Sequence, residues 1–169
     1  MRAFISGPPG SGKSTLVREI IELLRKKGVK VGGISTPEIK ENGRRVGFEV
    51  VDLSSGKRKV FAHVEGKGEA RFGKYNLFIK DFEEIAIPAL RFALEECDVV
   101  VIDEIGKMEF FSNKFKEVLE EVLNSDKILL AVLHRAYLDK FGKYGEVFWL
   151  EKGHFEEVRE KIKEKLELE

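Results

Sequence analysis

Eight consecutive residues, Gly7-Pro8-Pro9-Gly10-Ser11-Gly12-Lys13-Ser14, fit the spacing G-x-x-x-x-G-K-[ST] in full, with Thr15 directly behind them. That spacing meets a specific chemical need. A triphosphate is an extended polyanion and must be met by many donors at short range. Glycines let successive backbone N–H groups turn toward it without a Cβ in the way. A helix opening near Lys13 adds the positive end of its dipole. Lys13 brings a mobile point charge for the β- and γ-phosphates, the Ser14 hydroxyl is a ligand for Mg²⁺, and Thr15 continues the helix. The plain alternative, a Gly/Pro turn ahead of a helix, leaves unexplained the apolar strand before the loop and the amphipathic segment after it.

The second chemical feature is Asp103-Glu104, which follows the apolar run Val99-Val100-Val101-Ile102. Four β-branched residues in a row suit a strand buried on both faces. In open parallel α/β sheets, ligands bind beyond the carboxyl ends of the strands. Asp103 is therefore expected to face the same Mg²⁺ as Ser14, through a water, because this ion keeps much of its hydration shell. Glu104 is expected to polarise an attacking water. Acids that end a strand for solubility or helix capping are the competing explanation, and the phosphate loop weighs against it.

Phosphoryl transfer leaves negative charge on the γ-phosphate and the bridging oxygen, so a second cation assists. Arg135 follows the apolar run 128–133 and should emerge at the same sheet edge as Asp103. Lys107 lies just past the acidic pair. Arg45, Arg71 and Lys74 are lid contacts or solvated surface cations. Glu109 either orients Lys107 or the water, or is a surface carboxylate starting a helix. His63 and His154 have no Cys or His partner at zinc-ligand spacing. Most of the thirteen Phe residues follow core stripes. Phe110 and Phe111 are adjacent and cannot share one face, so one of them is a candidate for the nucleobase.

These side chains need a scaffold, and the apolar period supplies one by switching between strand and helix. Residues 2–6 read as a strand. Residues 14–27 read as a helix with Leu16, Ile20, Leu23 and Leu24 inward, stopped by Gly28. A strand follows at 29–35, and 44–53 with 57–63 read as a hairpin. Residues 75–80 add a further strand. A helix over 81–96 has Ile85, Ala89, Phe92 and Ala93 inward, with Pro88 kinking it or delaying its start. Ser112 caps a third helix bearing Phe115, Val118, Leu119 and Val122. Strands at 128–133 and 147–150 and a closing helix complete the order. The expectation is one α/β domain over 1–169, a central mostly parallel sheet with helices on both faces and a β-rich hairpin insertion at about 36–80.

Composition narrows the setting. Thirty basic and thirty acidic residues cancel, so charge gives no reason to expect a nucleic acid or an acidic membrane as partner. No apolar run approaches a membrane span. Residues 1–6 lead straight into the loop, leaving no room for a signal peptide, and Cys97 is alone and reads as a small packed residue. A cytoplasmic monomer is expected. Charged residues at 36% and the lack of Gln suit a thermophilic source.

At Asp103-Glu104-Ile105-Gly106-Lys107-Met108-Glu109 the chain resembles the DEIGKME signature of the small THEP-type, or cancer-related, nucleoside-triphosphatases. Gly33-Ile34-Ser35-Thr36-Pro37-Glu38, Arg45-Val46-Gly47-Phe48 and Arg71-Phe72-Gly73-Lys74-Tyr75 match in order, and the similarity runs from residue 1 to about residue 135. The resemblance implies a three-layer RecA-like P-loop fold and slow Mg²⁺-dependent hydrolysis of ATP, GTP and other nucleoside triphosphates to diphosphate and phosphate. It implies nucleotide contacts at Gly7, Pro8, Pro9, Gly10, Ser11, Gly12, Lys13, Ser14 and Thr15, and at Val101, Ile102, Asp103, Glu104, Ile105 and Gly106. The family pattern ends its last core strand with Thr and an Asn-Arg pair, where this chain reads Trp149-Leu150-Glu151-Lys152-Gly153-His154. Two other readings stay open from the residues alone: a nucleotide or small-molecule kinase using 36–80 as an acceptor lid, and a switch gated by slow turnover.

Overall fold

The computed structural model describes residues 1–167. The elements in chain order are β1 (Arg2–Ser6), α1 (Lys13–Lys26), β2 (Val31–Ser35), β3 (Glu38–Glu41), β4 (Arg44–Asp52), β5 (Arg58–His63), β6 (Ala70–Phe72), β7 (Tyr75–Leu77), α2 (Ile79–Glu96), β8 (Val99–Ile105), α3 (Asn113–Asn124), β9 (Ile128–Leu133), α4 (Leu138–Phe141), β10 (Glu146–Trp149) and α5 (Phe155–Lys165). The strands form one ten-stranded sheet in the order β10-β1-β9-β8-β2-β4-β5-β7-β6, with β3 pairing β4.

The first five strands of that order are parallel. From β2 outward every pairing is antiparallel. The expected hairpin at 44–63 is present, but the insertion is not a separate excursion. β4 pairs with β2, so the insertion extends the same sheet as an antiparallel wing. β9 lies between the strand feeding the phosphate loop and the strand ending in acids.

Alternation along the parallel strands builds two cores, because successive side chains point to opposite faces. Val100 and Ile102 of β8, Leu129 and Ala131 of β9 and Phe4 of β1 pack toward α2 and α3. Val99, Val101, Leu130, Val132, Ala3 and Ile5 pack toward α1 and α5. Phe4, Phe61, Phe82 and Phe115 are fully buried, each removing apolar area worth about 2–3 kcal/mol. Cys97 is buried in the α2–α3 core.

α2 starts at Ile79, earlier than expected, and runs through Pro88. Pro88 is exposed, so the carbonyl that loses its partner on that side faces water. The buried stripe is Phe82, Ile85, Ala86, Ala89, Leu90 and Ala93. That stripe centres about a quarter turn from Phe92, which is 46% exposed rather than inward. Ser112 caps α3 as expected, its hydroxyl accepting from the Phe115 N–H at 3.0 Å. Among the described residues no helix is long and apolar enough to cross a membrane.

Candidate active site

Residues 7–12 leave the carboxyl end of β1, and the loop they form depends on glycine where the chain is most constrained. Gly7 has φ +152°, and a Cβ there would stand 2.1 Å from the Leu150 carbonyl oxygen. Gly12 takes the left-handed conformation, φ +96°, as the N-cap of α1. The first N–H groups of α1 therefore open into the loop. The Lys13 ammonium folds back over it and donates to the carbonyls of Gly7 (2.9 Å) and Pro8 (2.8 Å).

β8 brings the acids to the same place. The Ser14 hydroxyl donates to Asp103 Oδ1 at 3.3 Å, joining residues 89 positions apart. β8 loses register with β9 between Asp103 and Ile105, so Glu104 drops out of the ladder. Asp103 is 8% exposed, and Glu104 is half-buried. Burial holds both carboxyls above the usual carboxylate range. Ser14, Arg18 and Lys13 counter it at Asp103; Asp103 adds to it at Glu104, where Lys13 opposes. Burial also lowers the Lys13 ammonium, against the pull of Glu104 and Asp103 and with the push of Arg135.

The loop and the acids border a cleft of about 640 Å³. Its lining comes from α1 (Lys13, Ser14, Thr15, Arg18), from the end of β8 and the turn after it (Asp103, Glu104, Glu109), from the turn after β9 (His134, Arg135) and from β3, β4 and the residues leading into them (Thr36, Pro37, Glu38, Lys40, Arg45, Phe48). Arg45 is oriented by bonds to the Tyr75 hydroxyl (3.1 Å) and Glu38 (3.2 Å) and lies over the Phe48 ring. The cleft thus offers amide N–H groups and cations beside carboxylates and hydroxyls. Such a site can bind a polyphosphate, hold a hard cation and take a proton from water.

Most of the expected residues fall into three groups, while Pro8 and Ser11 are half-buried in the phosphate loop and do not border the cleft. Gly7, Pro9, Gly10, Gly12, Lys13, Ser14, Thr15, Asp103, Glu104 and Arg135 border the cleft. Val101, Ile102, Ile105 and Gly106 are buried and do not border it; Val101 and Ile102 anchor β8 in opposite cores. Lys107 is exposed outside the cleft, where its charge helps, after burial, to lower His134. Phe110 packs against Phe115, Tyr137 and Phe141, while Phe111 meets Phe72 at the surface; neither borders the cleft.

Glu109 corrects its surface reading: it is 2% exposed. Thr36 and Arg18 were not among the expected site residues. Both could have been found. Thr36 directly follows a parallel strand at its carboxyl end, and Arg18 stands one helical turn past Ser14.

The chain matches known proteins over nearly its whole length. A family model described as NTPase matches residues 2–165, past the residue 135 at which the sequence resemblance ends. The chain is 44% identical to nucleoside-triphosphatase THEP1 of Methanocaldococcus jannaschii over 98% of its length and 97% of that protein's. It is 47% identical to the Methanosarcina acetivorans protein of that name, covering 96% and 94%. The crystal structure of THEP1 from the hyperthermophile Aquifex aeolicus superposes with a TM-score of 0.82 at 29% identity, covering 99% of each chain. The solution structure of a human cancer-related nucleoside triphosphatase gives 0.80 at 33%, covering 98% and 96%. The chain belongs to this NTPase family, the THEP-type nucleoside-triphosphatases with a P-loop fold, and is an enzyme of that class.

Proposed function

We propose that the chain hydrolyses nucleoside triphosphates, ATP and GTP among them, to diphosphate and phosphate in a slow, Mg²⁺-dependent reaction with broad base tolerance. One observation carries the reading: the Ser14 hydroxyl at the mouth of α1 lies 3.3 Å from Asp103 Oδ1 at the end of the acidic strand. The phosphate-binding end and the acidic end of the sheet therefore share one point. Among the described residues no three His, Cys, Asp or Glu side chains form a metal cage. A hydroxyl and a carboxylate alone suit a hard cation that keeps waters and takes phosphate oxygens as ligands. Mg²⁺ bound there would offset charge on the β- and γ-phosphates.

The chain's own residues do the rest. Backbone N–H groups from Gly10 to Ser14 bind phosphate oxygens, Pro8 and Pro9 having none to offer, and Lys13 exchanges its two loop carbonyls for them. Glu104, beside the γ-phosphate end and outside the β-ladder, accepts a proton from the attacking water as the water oxygen bonds to phosphorus and the bond to the diphosphate breaks. Arg135, which borders the cleft, is the second cation of this reading, and Lys107 adds to the positive field through His134. Phosphates are gripped and bases are not, which supports broad base tolerance. The whole chain is read as one catalytic unit, a cytoplasmic monomer of a thermophile acting on free nucleotides without nucleic acid.

Phosphate release should be followed with Mg²⁺ and each of several triphosphates, with and without acceptor nucleotides. Release without acceptor is expected, and strict acceptor dependence would make the enzyme a kinase instead. Glu104→Ala should still bind nucleotide but lose turnover by about 10²–10⁴-fold; normal turnover would refute the base assignment.

A further inference from the structure

The cleft holds a third carboxyl that the reaction above does not use. Glu109 opens the 3₁₀ turn Glu109–Phe111 after β8. Its side chain borders the cleft although the residue is 2% exposed. The backbone N–H groups of Gly106 and Glu109 act on the carboxyl and favour its charged form, against burial. The Thr36 hydroxyl lies between two oxygens, the Asp103 carbonyl at 3.0 Å and Glu109 Oε2 at 3.5 Å.

Counting protons assigns the state of this group. A hydroxyl has one hydrogen to donate. A carbonyl oxygen can only accept, so the nearer contact takes the Thr36 proton. Toward Glu109 the hydroxyl then offers lone pairs, which a protonated carboxyl meets. Charges around the group favour the same state. Asp103 and Glu104 face it from β8, and the Tyr137 hydroxyl faces it from the turn after β9. Glu83 of α2 stands one step further out, bonded to Ser112.

We propose that Glu109 is a positioning residue that works as a neutral acid, tying the turn after Glu104 to the Asp103 carbonyl through Thr36 and leaving Glu104 without a second negative charge beside it. The inference rests on Glu104 being the water-activating base. An ionised Glu109 would break the Thr36 link and set a charge against both Glu104 and the γ-phosphate.

The test is the pH dependence of kcat and KM, from pH about 6 to about 9.5, for the wild type, Glu109→Gln, Glu109→Ala and Glu104→Ala. The wild type should lose kcat as pH rises past about 8. Glu109→Gln should keep kcat within about threefold at neutral pH and lose that alkaline fall, while Glu109→Ala should drop kcat at least about tenfold with KM little changed. The idea is overturned if Gln is as damaging as Ala, or if Glu109→Gln keeps the wild-type alkaline limb. Should Glu109→Ala fail to fold, the Gln profile decides alone. Normal turnover by Glu104→Ala overturns both readings. An inactive Glu104→Ala with a wild-type limb in Glu109→Gln overturns this inference only.

Discussion

Replacing Glu109 by Gln should stabilise the nucleotide-free protein, and by more at higher pH. Burial, and then the charge of Glu104, raise the Glu109 carboxyl from 4.5 to about 8. The folded chain therefore holds a proton that the unfolded chain has released between those two values. Stability from this group is complete below about pH 4.5 and is lost as pH rises through about 8. At about 1.36 kcal/mol per pH unit, the loss is about 1 kcal/mol at pH 5, about 3 at pH 7 and about 5 above pH 9. Gln carries no charge at any pH and escapes the loss. It also suits the site: its amide oxygen can accept from the N–H groups of Gly106 and residue 109, and its NH₂ can donate to Thr36. Guanidinium unfolding of both proteins at pH 5, 7 and 9 would measure the gap. At pH 7 it should correspond to a rise in Tm of about 6–12 °C for a chain of this size. Parallel stability curves across that range would refute the reasoning.

Two further outcomes are expected. Lys13→Ala should weaken triphosphate binding at least about 100-fold by titration calorimetry, with little change in melting, because the lysine's two partners in the fold are carbonyls on a solvent-facing loop. Gly7→Ala should lower Tm by about 4–8 °C and reduce nucleotide affinity. Its Cβ would stand 2.1 Å from the Leu150 carbonyl oxygen, and neither backbone can yield without moving the loop.

The features legible in the sequence were those fixed by local spacing. The phosphate loop, α1 and the run ending in Asp103 each occupy one short window, and type and period name them directly. The hairpin at 44–63 was legible for the same reason. Its place in the molecule was not, because β4 pairs with β2 across residues the turn does not specify. The 38–41 strand was missed, since its four residues, three of them exposed, show no apolar pattern. Phe92 looked inward because Ile85 and Ala89 defined the stripe, until Phe82, Ala86 and Leu90 widened it. The burial of Glu109 was hidden most deeply. A carboxylate after Lys107 and Met108 has the letters of a surface turn, and only the fold brings Thr36, Asp103 and Glu104 around it. Arg45 reads equally as a lid contact or a solvated cation, because Tyr75 and Glu38, the partners that orient it, lie in other strands.

The central claim is that one metal–triphosphate complex is held jointly by the mouth of α1 and the end of β8. Calorimetric titration of a nucleoside triphosphate, with Mg²⁺ and with EDTA, tests it in the wild type, Ser14→Ala and Asp103→Asn. Affinity in the wild type should rise at least about tenfold with Mg²⁺, and that gain should vanish in both variants while weak, metal-independent binding remains. An Asp103→Asn protein that keeps the full Mg²⁺ gain would contradict the account.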